Sequence, residues 1–110
     1  MSGGHHPVFL KTLQEFKDFL QINPRVVIDF TASWCGPCKQ VAPKFVEFAD
    51  EFPNVAFAKV DVDENSQASE SANVEAMPTF VFYLNGVEKS RVIGANVADL
   101  KNKLTALSHE

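Results

Sequence analysis

An apolar run in the first third of the chain constrains the fold more than any other feature. Residues 25–31 read Arg-Val-Val-Ile-Asp-Phe-Thr, with apolar side chains at adjacent positions and one acid, Asp29, among them. Such a run is typical of a strand covered on both faces, because a half-exposed strand alternates apolar and polar residues. We therefore predict an α/β fold with helices on both sides of a sheet.

The other segments supply the helices and strands that this fold needs. Apolar spacing, caps and turn residues predict helices at residues 12–23, 38–52, 64–72 and 96–107, and strands at 8–10, 55–62, 79–84 and 87–93. Asn85-Gly86 is a two-residue hairpin signal, so the last two strands run antiparallel. The result is a central mixed sheet of four to five strands flanked by helices on both faces, with its strand order left open.

Composition limits the class of protein. The chain has 110 residues, 45% of them hydrophobic, so we expect a single domain over residues 1–110 with a flexible N-terminal tail at 1–7. A net charge of −4 favours no nucleic-acid or anionic membrane partner. No apolar run reaches the roughly 18 residues of a membrane span, and no secretory signal is evident. Two closely spaced cysteines fit a reducing compartment, and we expect a cytoplasmic protein.

The two cysteines lie in the sequence Trp34-Cys35-Gly36-Pro37-Cys38, between the apolar strand and a helix. Unpaired N–H groups in the first turn of a helix stabilise a thiolate. A spacing of three residues places both side chains on one helix face, close enough to form a disulfide. The motif therefore indicates a dithiol–disulfide exchanger.

Three other interpretations of the cysteine pair remain. A zinc site needs two more ligands, and the histidines available, His5, His6 and His109, all lie at the chain ends. A purely structural disulfide closes too short a loop to constrain the unfolded chain much. Inert core thiols are disfavoured because Gly36 and Pro37 favour an exposed turn.

The chain resembles the thioredoxin family over residues 9–107, essentially its whole length. The resemblance rests on the redox motif, a buried acid, a proline within the second helix and two loops: residues 34–39, Asp29, Pro43, Met77-Pro78-Thr79 and Ile93-Gly94-Ala95. It implies the thioredoxin fold. This combination of motifs is far more specific than a pair of cysteines alone.

The resemblance implies roles for the central residues. Cys35, at the exposed start of the helix, would be the attacking thiolate, and Cys38, one turn further, the resolving thiol. Asp29 would accept the proton of Cys38, directly or through water. From the residues alone, a buried ion pair with Lys59 is an alternative explanation for the presence of Asp29 in an apolar strand. In either case Lys59 would shift the pKa of Asp29.

The resemblance also implies how substrates are held. Pro78 would follow a cis peptide bond and stack against the disulfide, and Asp63 would hold the ring of Trp34. An apolar substrate-binding surface would surround the cysteines and pair with extended segments of other proteins: Trp34, Gly36, Pro37, Ala76, Met77, Pro78, Ile93, Gly94 and Ala95.

The function implied is a monomeric protein-disulfide reductase that binds no cofactor. Its partners would be disulfide-containing proteins such as peroxiredoxins, and thioredoxin reductase, which passes electrons from NADPH through its flavin. Gly36-Pro37 between the cysteines favours a reductant over an oxidase. The alternatives are a disulfide isomerase-like module and a binding subunit with this fold that acts through its apolar surface.

Overall fold

The computed structural model describes residues 6–110, which form five strands and four helices. In chain order these are β1 (Val8–Phe9), α1 (Leu13–Ile22), β2 (Arg25–Thr31), α2 (Gly36–Glu51), β3 (Ala56–Asp61), α3 (Ser66–Ser71), β4 (Thr79–Leu84), β5 (Val87–Ile93) and α4 (Val97–Ser108). Every predicted helix and strand is present. The predicted tail at 1–7 and the candidate ligand His5 fall wholly or partly on residues 1–5, outside the described residues.

The strands form one mixed sheet in the order β1-β3-β2-β4-β5, which confirms the predicted architecture and supplies the strand order that the sequence left open. The central strand β2 runs parallel to β3 and antiparallel to β4. Phe30, near the end of β2, pairs with Thr79 at the start of β4. The loop before β4 is therefore brought to the end of β2 where α2 begins.

The hairpin between β4 and β5 has the two-residue turn that the sequence predicted. Leu84 pairs with Val87, and Asn85 and Gly86 have φ angles of 52° and 81°. Positive φ at both central residues gives a turn whose twist matches the strands, and Asn and Gly tolerate that conformation. The pairing shifts between Phe82 and Tyr83, which marks a bulge in the ladder.

The core lies in two layers, one on each face of the sheet. On one face α2 packs on the sheet through aromatic contacts, with the ring centroid of Phe45 5.0 Å from that of Phe57 and 5.6 Å from that of Phe80, and α4 adds buried leucines to the same cluster. On the other face α1 and α3 pack around Phe16, whose ring lies 6.2 Å from that of Phe30. The buried run of β2 is thus covered on both sides, as its composition predicted.

Helix α2 begins two residues earlier than predicted, because Gly36 and Pro37 belong to its first turn. Proline fits there because the N–H it lacks would have no partner within the helix. The helix continues through Pro43 to Glu51. Its first turn follows the central strand after only a short connection, and this junction positions the two cysteines.

Candidate active site

Cys35 and Cys38 form a disulfide, with their Cα atoms 5.3 Å apart. They are the only cysteines of the chain. The bond joins the residue that caps α2 to a residue in the first turn of the same helix. The pairing that the sequence motif indicated is therefore present.

The local backbone explains why Cys35 occupies the cap. Its φ and ψ of −94° and 110° are extended, and its N–H donates to the carbonyl of Ala32 at 3.2 Å. Its Sγ accepts a hydrogen bond from the N–H of Cys38 at 3.2 Å. The sulfur thus satisfies one of the free N–H groups of the helix start, where the backbone favours negative charge.

Both cysteines are buried, with 5% of Cys35 and 4% of Cys38 exposed. The prediction that Cys35 is exposed is therefore wrong for this disulfide form. The reason is tertiary packing: the pair clusters with Ala32, and the half-buried side chains of Val62 and Met77 pack against it. A partner must reach the sulfurs across the surrounding surface.

The turn beside the disulfide is open to solvent. Trp34 is 65% exposed, and Gly36 and Pro37 are exposed as well. A Cβ atom placed on Gly36 meets no atom within 4 Å among the residues that the structure describes. No packing within this part of the chain therefore requires a glycine at position 36.

The ring of Trp34 is held by the acid that the resemblance indicated. Its Nε1 donates to Oδ2 of Asp63 at 2.8 Å. Asp63 is positioned in turn by Asp61, whose Oδ1 accepts from the N–H groups of Asp63 at 2.9 Å and Glu64 at 3.1 Å. Sequence reasoning missed Asp61. An acid at the end of a strand, followed by polar residues, is a signal for such a side-chain turn.

The loop before β4 carries the expected cis peptide bond between Met77 and Pro78. The carbonyl of Pro78 accepts from the N–H of Gly94 at 2.8 Å, and the Thr79 hydroxyl donates to the carbonyl of Ala76 at 2.6 Å. The first bond joins the two loops that carry Ala76–Pro78 and Ile93–Ala95, and the second closes the loop before β4 on itself. Gly94 has a φ of 98°, which favours glycine at this position.

Asp29 is almost completely buried, with 1% of its surface exposed. Its Oδ1 has no hydrogen-bond partner within residues 6–110. Burial disfavours the charged form and raises the pKa of Asp29 from 3.8 to about 7, while the positive charge of Lys59 lowers it in part. The carboxyl group can therefore exchange a proton near neutral pH.

Lys59 is the register partner of Asp29 on β3, yet the two form no ion pair in the described part of the chain. The Nζ atom of Lys59 lies 5.4 Å from the centroid of the Phe9 ring. The alternative of a buried ion pair between Asp29 and Lys59 is therefore wrong. No role for Phe9, on β1, was predicted from the sequence, because no local pattern indicates that its ring would contact Lys59 of the neighbouring strand.

A pocket of about 230 Å³ opens beside the cysteine pair, lined by Cys38, Lys59, Phe9, Lys39 and Asp61 among others. It reaches Cys38 from the side of β3 and the edge strand β1. No group of three or more His, Cys, Asp or Glu side chains suited to a metal ion occurs among residues 6–110. None of the helices within residues 6–110 combines the length and the hydrophobicity that a membrane-spanning helix needs.

Comparison with known proteins identifies the family. A family model described as thioredoxin matches residues 7–106. A thioredoxin from Geodia cydonium is 54% identical over a 99-residue alignment that covers 87% of this chain and 93% of that protein. The chain belongs to the thioredoxin family.

Solved thioredoxin structures agree with the fold described above. Thioredoxin from Trypanosoma brucei brucei has a TM-score of 0.91 at 36% identity, covering 97% of this chain and 95% of that one. A second match has a TM-score of 0.89 at 38% identity and covers 92% of this chain and 95% of that one. It comes from a structural study of the thiol resolving mechanism in yeast mitochondrial 1-Cys peroxiredoxin via glutathione/thioredoxin systems. The mixed sheet and its helices form the thioredoxin fold.

Membership in the thioredoxin family gives the chemistry of the disulfide. Thioredoxins are disulfide oxidoreductases, and the Cys35–Cys38 pair is the redox couple of this chain. The disulfide form is the oxidised state of that couple. Reduction breaks one S–S bond and adds two electrons and two protons.

Proposed function

We propose that the reduced chain reduces disulfides in other proteins, with Cys35 as the attacking residue and Cys38 as the resolving residue. The observation that carries this proposal is the disulfide between a helix-capping cysteine and a residue in the first turn. At the cap, a Cys35 thiolate would be stabilised by the helix N–H groups. The apolar residues around the pair supply a docking surface.

The reaction proceeds in two exchanges. The Cys35 thiolate attacks one sulfur of the substrate disulfide, so a mixed disulfide forms and the first substrate thiolate leaves. The Cys38 thiolate then attacks Sγ of Cys35, which restores the internal disulfide and releases the second substrate thiolate. With Cα atoms only 5.3 Å apart, this second attack is intramolecular and favoured by its high effective concentration.

Substrates dock on the surface formed by Trp34, Gly36, Pro37 and the loops that carry Ala76–Pro78 and Ile93–Ala95. Ile93 is 65% exposed, and the two loops are joined through Pro78 and Gly94. An extended substrate segment would pair with free backbone groups before Pro78. Asp63 supports this surface by holding Trp34.

Asp29 accepts the proton of Cys38 in the second exchange. A pKa of about 7 suits this role, because both the acid and its base are present near neutral pH. Lys59 tunes the acid without pairing with it. The pocket that Cys38 and Lys59 both line offers room for a water molecule to carry the proton.

Replacing Asp29 with Asn tests that role. We expect slower resolution of the mixed disulfide at pH 7 and a nearly unchanged first attack by Cys35, because only Cys38 depends on the acid. Rapid mixing of the pre-reduced variant with a disulfide substrate, with acid trapping of the mixed disulfide, measures both steps. Equal slowing of both steps, or of neither, contradicts the assignment.

Thioredoxin reductase regenerates the dithiol, with NADPH as the electron source and the flavin in the reductase rather than in this chain. We propose peroxiredoxins as a substrate class, since a structural neighbour comes from a study of the thiol resolving mechanism in a yeast mitochondrial 1-Cys peroxiredoxin. We also propose a cytoplasmic monomer. The absence of cysteines outside the pair, which precludes covalent dimers through other residues, supports the monomer.

Turnover of insulin with NADPH and thioredoxin reductase tests the proposed function. We expect NADPH consumption that depends on the chain, and its loss in Cys35→Ser. The variant Cys38→Ser should instead accumulate a mixed disulfide that a reductant releases. A binding subunit would keep its function in the Cys35→Ser/Cys38→Ser double variant, and that outcome would overturn the proposal.

A further inference from the structure

Arg91 on β5 joins two parts of the chain that lie far apart in sequence. Its Nη2 donates to the carbonyl of Ala72 at 2.8 Å, and its Nη1 to the carbonyl of Asn73 at 3.4 Å. On its other side, Nε and Nη2 bind the carboxylate of Glu88 at 2.7 and 2.8 Å. The guanidinium therefore connects the edge strand to the end of α3.

The end of α3 is a specific structure that benefits from this cation. Asn73 has a φ of 57°, its N–H donates to the carbonyl of Glu70, and the N–H of Val74 donates to the carbonyl of Ser69, both at 3.0 Å. This pattern is a Schellman motif, in which a residue in the left-handed conformation ends the helix. Positive charge stabilises the carbonyl end of a helix.

The segment that follows leads directly to the proposed docking loop. From Asn73 the chain passes through residues 74–77 to Pro78. Its far end is held by the bonds of Thr79 to Ala76 and of Gly94 to Pro78, and its near end is held by Arg91. Between these anchors Glu75 and Ala76 are exposed. If the bonds of Arg91 are lost, residues 74–77 therefore become more mobile, and these residues form the backbone proposed to bind substrates.

We infer that Arg91 is a positioning residue that holds the backbone before Pro78 in the shape that substrates bind. This inference rests on the proposed function. Without the guanidinium bonds, a substrate must order residues 74–77 as it docks, and that ordering weakens binding. The chemistry of the cysteines is left unchanged, because Arg91 does not contact them.

Stability alone explains the arrangement poorly. The side chains of Arg91 and Glu88 are 24% and 38% exposed, and ion pairs with this much solvent contact contribute little to folding. The hydrogen bonds of Arg91 lower the pKa of Glu88, so the carboxylate stays charged and orients the guanidinium. The pair thus aims the remaining donors at the two carbonyls.

Arg91→Met tests the inference, because methionine keeps an apolar stem and removes every donor. Pre-reduced variant and wild type are mixed with insulin over a range of concentrations, and separately with the small disulfide 5,5′-dithiobis(2-nitrobenzoic acid). We expect the insulin concentration for half-maximal rate to rise about fivefold, with the maximal rate and the small-disulfide rate nearly unchanged. The N–H of Val74 should exchange with solvent faster in this variant.

Three further variants serve as controls. Lys89→Met removes the same charge from the same strand, and its side chain makes no hydrogen bond or ion pair within residues 6–110, so we expect wild-type behaviour. Arg91→Lys should recover part of the affinity, because an ammonium can donate to one carbonyl. Glu88→Gln should have a smaller effect than Arg91→Met, because the bonds to α3 remain.

The outcomes separate this inference from the proposed function. If wild type does not reduce insulin, the proposed function fails. If wild type is active and Arg91→Met lowers the insulin and small-disulfide rates equally, Arg91 acts on the cysteines and the inference is wrong. The same holds if the half-saturating insulin concentration stays unchanged, or if Lys89→Met raises it as much.

Discussion

At the scale of single residues, Asp29 brings together two properties that oppose each other. An acid with 1% exposure and an oxygen without a partner among the described residues destabilises the folded protein when it is ionised. The same burial raises its pKa to about 7, which gives the site a group that exchanges protons near neutral pH. The burial that suits Asp29 to the proposed proton transfer therefore lowers the free energy of unfolding when the acid is ionised.

The free energy of unfolding should reflect this directly. Because the pKa of Asp29 is higher in the folded chain than in the unfolded chain, the folded chain binds more protons between pH 4 and 7, and stability falls as the pH rises through that range. At 1.36 kcal/mol per pKa unit, the loss approaches about 4 kcal/mol above pH 7.

In Asp29→Asn this contribution to the pH dependence should disappear. Denaturant unfolding of the oxidised proteins at pH 4 and pH 8 measures it, with the variant gaining stability relative to wild type at the higher pH. An equal difference between the two proteins at both pH values would show that Asp29 titrates normally.

At the scale of helices and strands, caps and turns made most of the fold predictable. The helix cap at Thr12 and the turn at Asn85-Gly86 act through local bonds, so their outcome follows from the sequence alone. The start of α3 was placed two residues early, at 64. Its cap is Asn65, which follows two acids that can also begin a helix.

Asn65 differs from an ordinary cap because it is 4% exposed and forms two bonds. Its Oδ1 accepts from the N–H of Ala68 at 3.3 Å, and its Nδ2 donates to the carbonyl of Leu10 at 3.0 Å. The side chain of Asn96, the exposed cap of α4, makes one hydrogen bond within residues 6–110, accepting from the N–H of Asp99. The two asparagines form a matched pair for measurement.

Asn65→Ala should destabilise the chain by about 2–3 kcal/mol, because it removes a cap and leaves a buried carbonyl without its donor. Asn96→Ala should cost about 1 kcal/mol, the usual value of a cap. Urea unfolding of both variants tests the difference. Equal losses would mean that the hydrogen bond from Asn65 to the carbonyl of Leu10 contributes nothing to stability.

At the scale of the whole molecule, the redox pair lies apart from the main core. The two large clusters fill the faces of the sheet, and the cysteines belong to a third cluster with Ala32. The fold should therefore persist without the disulfide. Closing a loop this short stabilises a protein by about 2 kcal/mol in the chain-entropy model.

Reduction should accordingly lower the free energy of unfolding by about 2 kcal/mol and leave a single cooperative transition. Guanidinium unfolding with and without dithiothreitol measures this, and Cys35→Ser/Cys38→Ser serves as a control in which the reductant has no effect. Loss of cooperativity on reduction would mean that the disulfide holds the core together.

What the sequence could not predict depends on contacts between distant segments. The strand order, the burial of Cys35 beneath neighbouring side chains and the contact of Lys59 with Phe9 all require tertiary packing. Arg91 is the clearest case, because its partners at Ala72 and Asn73 lie far away in the chain. Periodicity identifies the elements and motifs identify the cysteines, but neither reveals which side chains meet.

The open space at Gly36 has a consequence for how partners can be compared. Gly36 is exposed, and a Cβ atom placed on it meets no described atom within 4 Å outside its chain neighbours and its own helix backbone, so we expect larger residues there to point into solvent and leave the interior undisturbed. A partner protein should then keep binding until the side chain at position 36 is larger than the gap between that partner and the backbone. A series of substitutions from alanine to valine at this position would therefore measure how closely each partner protein approaches the backbone of residue 36.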